Sequence, residues 1–143
     1  HRFCHLQPIT SPSGHAAGNP IVLSNARQNR HYVTYRDSRG HLQEAYLSHD
    51  HNSDEWHIQD ITHLSNAPAA MSDPVGMTLP TGNQRYYIYW GVDKKLHELH
   101  FDGRWNHIPF HSLPYQIDVS WSGKLSMSEA TFLVLVNSLQ RFT

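Results

Sequence analysis

Short runs of aromatic and β-branched residues, each closed by polar turn residues, mark this chain along most of its length. Residues 20–24 form a brief apolar run, and polar residues 25–29 follow it. Residues 31–36 have strand composition, 37–40 read as a turn, 42–47 as a second strand of a hairpin, and 56–61 as a further strand. The same order returns at 74–78, 86–90, a turn at 91–94, then 96–101 and 105–110. No segment carries a convincing helical period.

The two passages are copies. Tyr35 matches Tyr89, Leu42 matches Leu96 and Glu44 matches Glu98, all at a spacing of 54 residues. Asn19-Pro20 and Asp73-Pro74 keep the same spacing. Trp56 matches Trp105 at a spacing of 49, so the length difference lies in the loop before each tryptophan. A fixed spacing that breaks only in a loop points to a structural repeat. Each copy reads as four antiparallel strands, the size of a propeller blade. The predicted organisation is all-β: a closing strand at 1–10, blades at 19–62 and 73–111, and a partial blade at 115–143. Gln7-Pro8-Ile9-Thr10 parallels Gln59-Asp60-Ile61-Thr62, which is why the first segment reads as the end of a repeat. In the last unit a helix over 128–141 is the alternative, because the repeat signature is lost there. Such a set cannot close a ring, so identical chains or the rest of a longer propeller would complete it.

Composition narrows the function. The chain has 143 residues, 16% of them charged, and a formal net charge of −1, which argues against a nucleic-acid surface. No apolar run approaches the roughly 18 residues of a membrane-spanning helix. One cysteine, Cys4, excludes an internal disulfide framework and a cysteine-based zinc cluster. The first residue is His1 and no signal peptide is evident, so the chain reads as processed or as a piece of something longer. The 13 histidines are scattered, and His49-Asp50-His51 is the one tight cluster, in a loop and without a third fixed ligand. No cofactor is expected.

The candidate chemistry follows from strand alternation. Leu42, Glu44 and Tyr46 share one face, as do Leu96, Glu98 and His100. An acid repeated beside a leucine is either an ion pair locking the sheets or a carboxylate accepting hydrogen bonds from ligand hydroxyls between blades. Trp56 and Trp105 read as core, whereas Trp90 and Trp121, near strand ends, read as platforms for stacking a sugar. No phosphate loop, nucleophile elbow or His-Glu-x-x-His helix is present. His97-Glu98-Leu99-His100 puts its two histidines on opposite strand faces. Repetition of Glu44 as Glu98 favours multivalent binding over one catalytic centre, so no enzyme activity is expected.

The passage Tyr35-Arg36-Asp37-Ser38-Arg39-Gly40-His41-Leu42-Gln43-Glu44, the terminal Trp and the Asp60-Ile61-Thr62 segment before an Ala-Pro-Ala linker resemble bacterial β-propeller lectins. The groups it resembles are the Photorhabdus lectin type and the fungal fucose-lectin type, and the resemblance covers about residues 5–111. It implies non-catalytic binding of glycans, fucosylated ones among them, in shallow pockets between blades. In the fungal type an arginine, a glutamate and an aromatic of the next blade make the pocket. Glu44 and Glu98 match the glutamate position, while Val33 and Tyr87 stand where the arginine is expected, with Arg36 and Arg85 close by on the same strands. The resemblance thus nominates Glu44, Glu98, Arg36, Arg85, Trp90 and Trp121 as ligand-binding residues. A secreted or surface-facing setting is expected; a protein-interaction propeller within a larger assembly is the alternative.

Overall fold

The computed structural model describes residues 15–48, 55–79 and 83–109. They form two four-stranded antiparallel sheets and little helix. The first sheet contains β1 (Ile21–Asn25), β2 (Arg30–Arg36), β3 (Leu42–Ser48) and β4 (Glu55–Asp60). A single helical turn, α1 (Ile61–Leu64), leads to the second sheet: β5 (Val75–Thr78), β6 (Arg85–Trp90), β7 (Leu96–Phe101) and β8 (Trp105–Pro109). Each strand pairs with the next in the chain, so both sheets are simple meanders. The eight strands expected between residues 20 and 110 therefore form, each within a residue or so of its expected ends. The segments 1–10 and 115–143, the 128–141 helix alternative, Cys4, Trp121 and the His49–His51 cluster lie outside the described residues.

The repeat extends to individual backbone hydrogen bonds. Ala17 N–H donates to the Arg36 carbonyl and Met71 N–H to the Trp90 carbonyl, both at 2.8 Å. The bridges Ala16–Asp37 and Ala70–Gly91 keep the same 54-residue offset. Leu47 faces Trp56 and Phe101 faces Trp105, so the two tryptophans enter at equivalent registers despite the different loop lengths. Each linker thus runs back along the end of the following hairpin's first strand and uses polar backbone groups that would otherwise lack partners.

The helical turn departs from the sequence reading, which carried β4 through residue 61 and found no helix. Asp60 ends the strand instead: its carboxylate accepts the His63 N–H at 2.9 Å, a helix N-cap. Ser65 closes the turn by donating from Oγ to the Ile61 carbonyl at 2.6 Å. This rotation sends Ile61 into the core with Leu42, Ala70, Tyr87, Tyr89 and Leu99. The core therefore lies between the sheets and under the linker. Tyr87 and Tyr89 are its largest members, and a tyrosine both fills a wide gap and carries a hydroxyl able to satisfy a buried acceptor; Tyr89 donates to the Pro68 carbonyl at 2.8 Å.

The two hairpin turns share a left-handed residue but not its chemistry. Gly40 has φ +81°, and Lys94, at the equivalent position, has φ +62°. A Cβ on Gly40 would stand 2.7 Å from the Ala70 carbonyl oxygen, which itself receives no relief because the Ala70 N–H is bonded to the Gly40 carbonyl. Gly40→Ala is expected to lose about 1–3 kcal/mol in urea unfolding, combining a positive φ with backbone crowding. Lys94→Gly is expected to be neutral or slightly stabilising in the same measurement.

Candidate functional site

Strand alternation turns Thr34 of β2, Glu44 of β3 and Gln59 of β4 to one face, where cross-strand pairing sets them side by side. Arg85 and Tyr87 of β6 approach this face from the second sheet. Glu44 is fully buried. Its two oxygens receive four donors: Arg85 Nε and Nη2 at 2.6 Å each, Tyr87 Oη at 2.6 Å and Gln59 Nε2 at 2.9 Å. Tyr87 Oη in turn accepts from Thr34 Oγ1 at 2.8 Å. The forked guanidinium matches both carboxylate oxygens, the strongest form of this pairing.

Arg85 is also enclosed by rings. Its guanidinium carbon lies 4.1 Å from the Tyr32 ring centre, 4.3 Å from Phe101 and 5.0 Å from Trp105. Tyr32 donates its hydroxyl to Asn83 Oδ1 at 2.9 Å, which holds that ring against the cation. Burial disfavours charge on Arg85, but the hydrogen bonds and negative charge of Glu44 outweigh it and raise its pKa. Burial, then the charge of Glu44, holds the Tyr87 phenol well above its usual range. Tyr87 therefore stays a protonated donor. Glu44 has each oxygen engaged by two donors, so its acceptor capacity is filled from within the protein.

The other nominated residues stand apart. Arg36 Nη2 lies 3.4 Å from the Ala17 carbonyl and 3.4 Å from Asp73 Oδ1. Asp73 also accepts the Asn19 N–H at 3.1 Å, tying two successive linkers together. Glu98 occupies the register of Glu44 and is also buried, but its β8 neighbour is Ile108 where Glu44 has Gln59. Trp90 is 2% exposed, and its backbone N–H is bonded to Ser72 Oγ. Glu44 and Arg85 are thus brought together, and Trp90 is enclosed. Tyr87, Gln59 and Thr34 were not among the nominated residues; the exchange of Val33 for Tyr87 between the copies was the sequence signal for one of them.

An open recess of about 330 Å³ lies where the ends of β1 and β5 meet, lined by Ser24, Asn25, Ala26, Arg27, Thr78 and Leu79. The sheets are joined there by a bond from Thr78 Oγ1 to the Ser24 carbonyl at 3.2 Å. Asn25 Oδ1 accepts the Arg27 and Gln28 N–H groups, which shapes the turn and leaves the Arg27 side chain exposed at the rim. Its volume is at the low end for small-molecule sites. Among the described residues no group of three His, Cys, Asp or Glu side chains could hold a metal ion, and no helix is long and apolar enough to cross a membrane. No protein-family model matches the chain, and no curated protein or solved structure shows significant similarity to it.

Proposed function

We propose that this chain is a non-catalytic glycan-binding module built from β-propeller blades, one blade per four-stranded sheet. Further blades, from a longer chain or from other copies, would close the ring. The observation carrying this reading is the recess between the ends of consecutive sheets, open to solvent and rimmed by Arg27. A guanidinium offers several hydrogen-bond donors in one plane, suited to the hydroxyls of a monosaccharide. Glu44 and Arg85 act in this scheme as the lock that positions the recess, since their polar atoms already satisfy one another. Recurrence of such recesses around a ring would convert weak single-sugar sites into useful avidity.

A glycan array with the assembled protein tests the reading. Binding to a defined set of glycans, fucosylated ones included, is the expected result, with Arg27→Ala weakening it by about tenfold, as loss of a charged hydrogen bond would. An array without any bound glycan overturns the lectin assignment and favours the protein-interaction alternative.

A further inference from the structure

Asp93, His97 and His107 form a continuous line of hydrogen-bonding groups across β7 and β8. His97 is buried, with Nε2 2.9 Å from both Asp93 oxygens and Nδ1 2.8 Å from His107 Nε2. A carboxylate only accepts, so His97 Nε2 directs its proton toward Asp93. The contact between the two rings then holds a single proton. Neutral His97 accepts from His107, and protonated His97 donates to neutral His107. Protonation of both rings sets N–H against N–H and turns the contact repulsive.

The surroundings hold the His97 ring in this line. It lies against Tyr89, with ring centres 5.6 Å apart. Gly91 approaches so closely that a Cβ there would be 2.8 Å from a His97 ring carbon. Among the described residues, the titratable groups facing the line are Asp93 and Lys95 from the β6–β7 turn, Tyr89 from β6, and the two histidines themselves. Beyond Tyr89, the core residues Leu42, Ile61 and Ala70 carry no charge.

We infer that this line is a proton-operated clasp, which ties the end strand β8 to β7 at neutral pH and opens in mild acid. Burial first, then the neighbouring His97, lowers the pKa of His107 below the ordinary imidazole value, while Asp93 opposes. A histidine lowered in this way binds its proton more readily when unfolded. Its contribution is therefore complete above the unfolded pKa of 6.5 and is lost as pH falls through the lower folded value. Asp93, lowered by its bonds to His97 and the Lys95 N–H against the effect of burial, keeps its charge throughout that window.

Hydrogen-exchange protection factors, measured between about pH 7.5 and pH 5 where imidazoles titrate, test the clasp. Protection of the β8 amides is expected to fall about tenfold more than that of β3, equivalent to about one pKa unit of coupling. His107→Gln, which can donate and accept but does not titrate, is expected to abolish the difference. His100→Gln, on the opposite face of β7, is expected to preserve it. Equal protection changes in β3 and β8, or a difference that persists in His107→Gln, overturns the inference. Should His107→Gln fail to fold, the His107 ring nitrogen shifts of the unaltered protein decide: a transition below the ordinary imidazole range that tracks the loss of β8 protection supports the clasp, and a transition at the ordinary imidazole value overturns it.

Discussion

Glu44→Met is expected to destabilise the protein by about 3–5 kcal/mol in chemical denaturation, the cost of leaving a buried charge without its partner. The substitution strands the Arg85 guanidinium among Tyr32, Phe101 and Trp105, and it removes the acceptor from Tyr87 and Gln59. Arg85→Met is expected to cost a similar amount by stranding Glu44. The two losses should not add. Joint replacement, Glu44→Met with Arg85→Met, removes both charges and leaves apolar side chains against three aromatic rings. It is expected to recover most of the loss, finishing within about 2 kcal/mol of the starting protein. A coupling near zero in this double-mutant cycle would show that the two sheets do not depend on the pair. Because the pair joins β3 to β6, its loss should appear as one cooperative transition rather than as fraying of a single strand.

The strands were legible because local composition and spacing decide them. Aromatic and β-branched runs between turn residues marked the strands, and the repeat confirmed each by its copy. Faces were legible too, since alternation alone places Glu44 beside Leu42 and Tyr46. The partner of Glu44 was not. Arg85 lies 41 residues away, and its approach depends on how one sheet stacks against the next. Repetition even points away from the pairing, since the position equivalent to Arg85 is His31. The helical turn was missed for a different reason: Ile61 is apolar and follows a strand, and only the Asp60 cap makes the chain rotate before the linker. The His97–His107 contact likewise depends on cross-strand placement of β7 against β8, with no short-range motif to announce it.

Trp90→Ala is expected to cost about 3–5 kcal/mol, as truncation of an enclosed tryptophan does. Trp90 ends β6, and a position near a strand end suggested a stacking surface for sugar. Its side chain is enclosed instead, on the face that carries Ile88 and, across the strand pair, Leu96. Its backbone is fastened on both sides, donating to Ser72 Oγ and accepting from the Met71 N–H. A ring held there contributes apolar area and closes the end of the sheet, and a sugar could reach it only after that end opened. Trp90→Leu separates stability from recognition, because it stays apolar but lacks an aromatic face. Glycan affinity per folded molecule should remain within about twofold, whereas loss of a stacking partner would weaken it about tenfold, corresponding to an aromatic contact of about 1 kcal/mol or slightly more. Titration of the folded variant with the best glycan from the array makes the distinction: unchanged affinity with reduced stability assigns Trp90 to the core, and a tenfold loss assigns it to the binding surface.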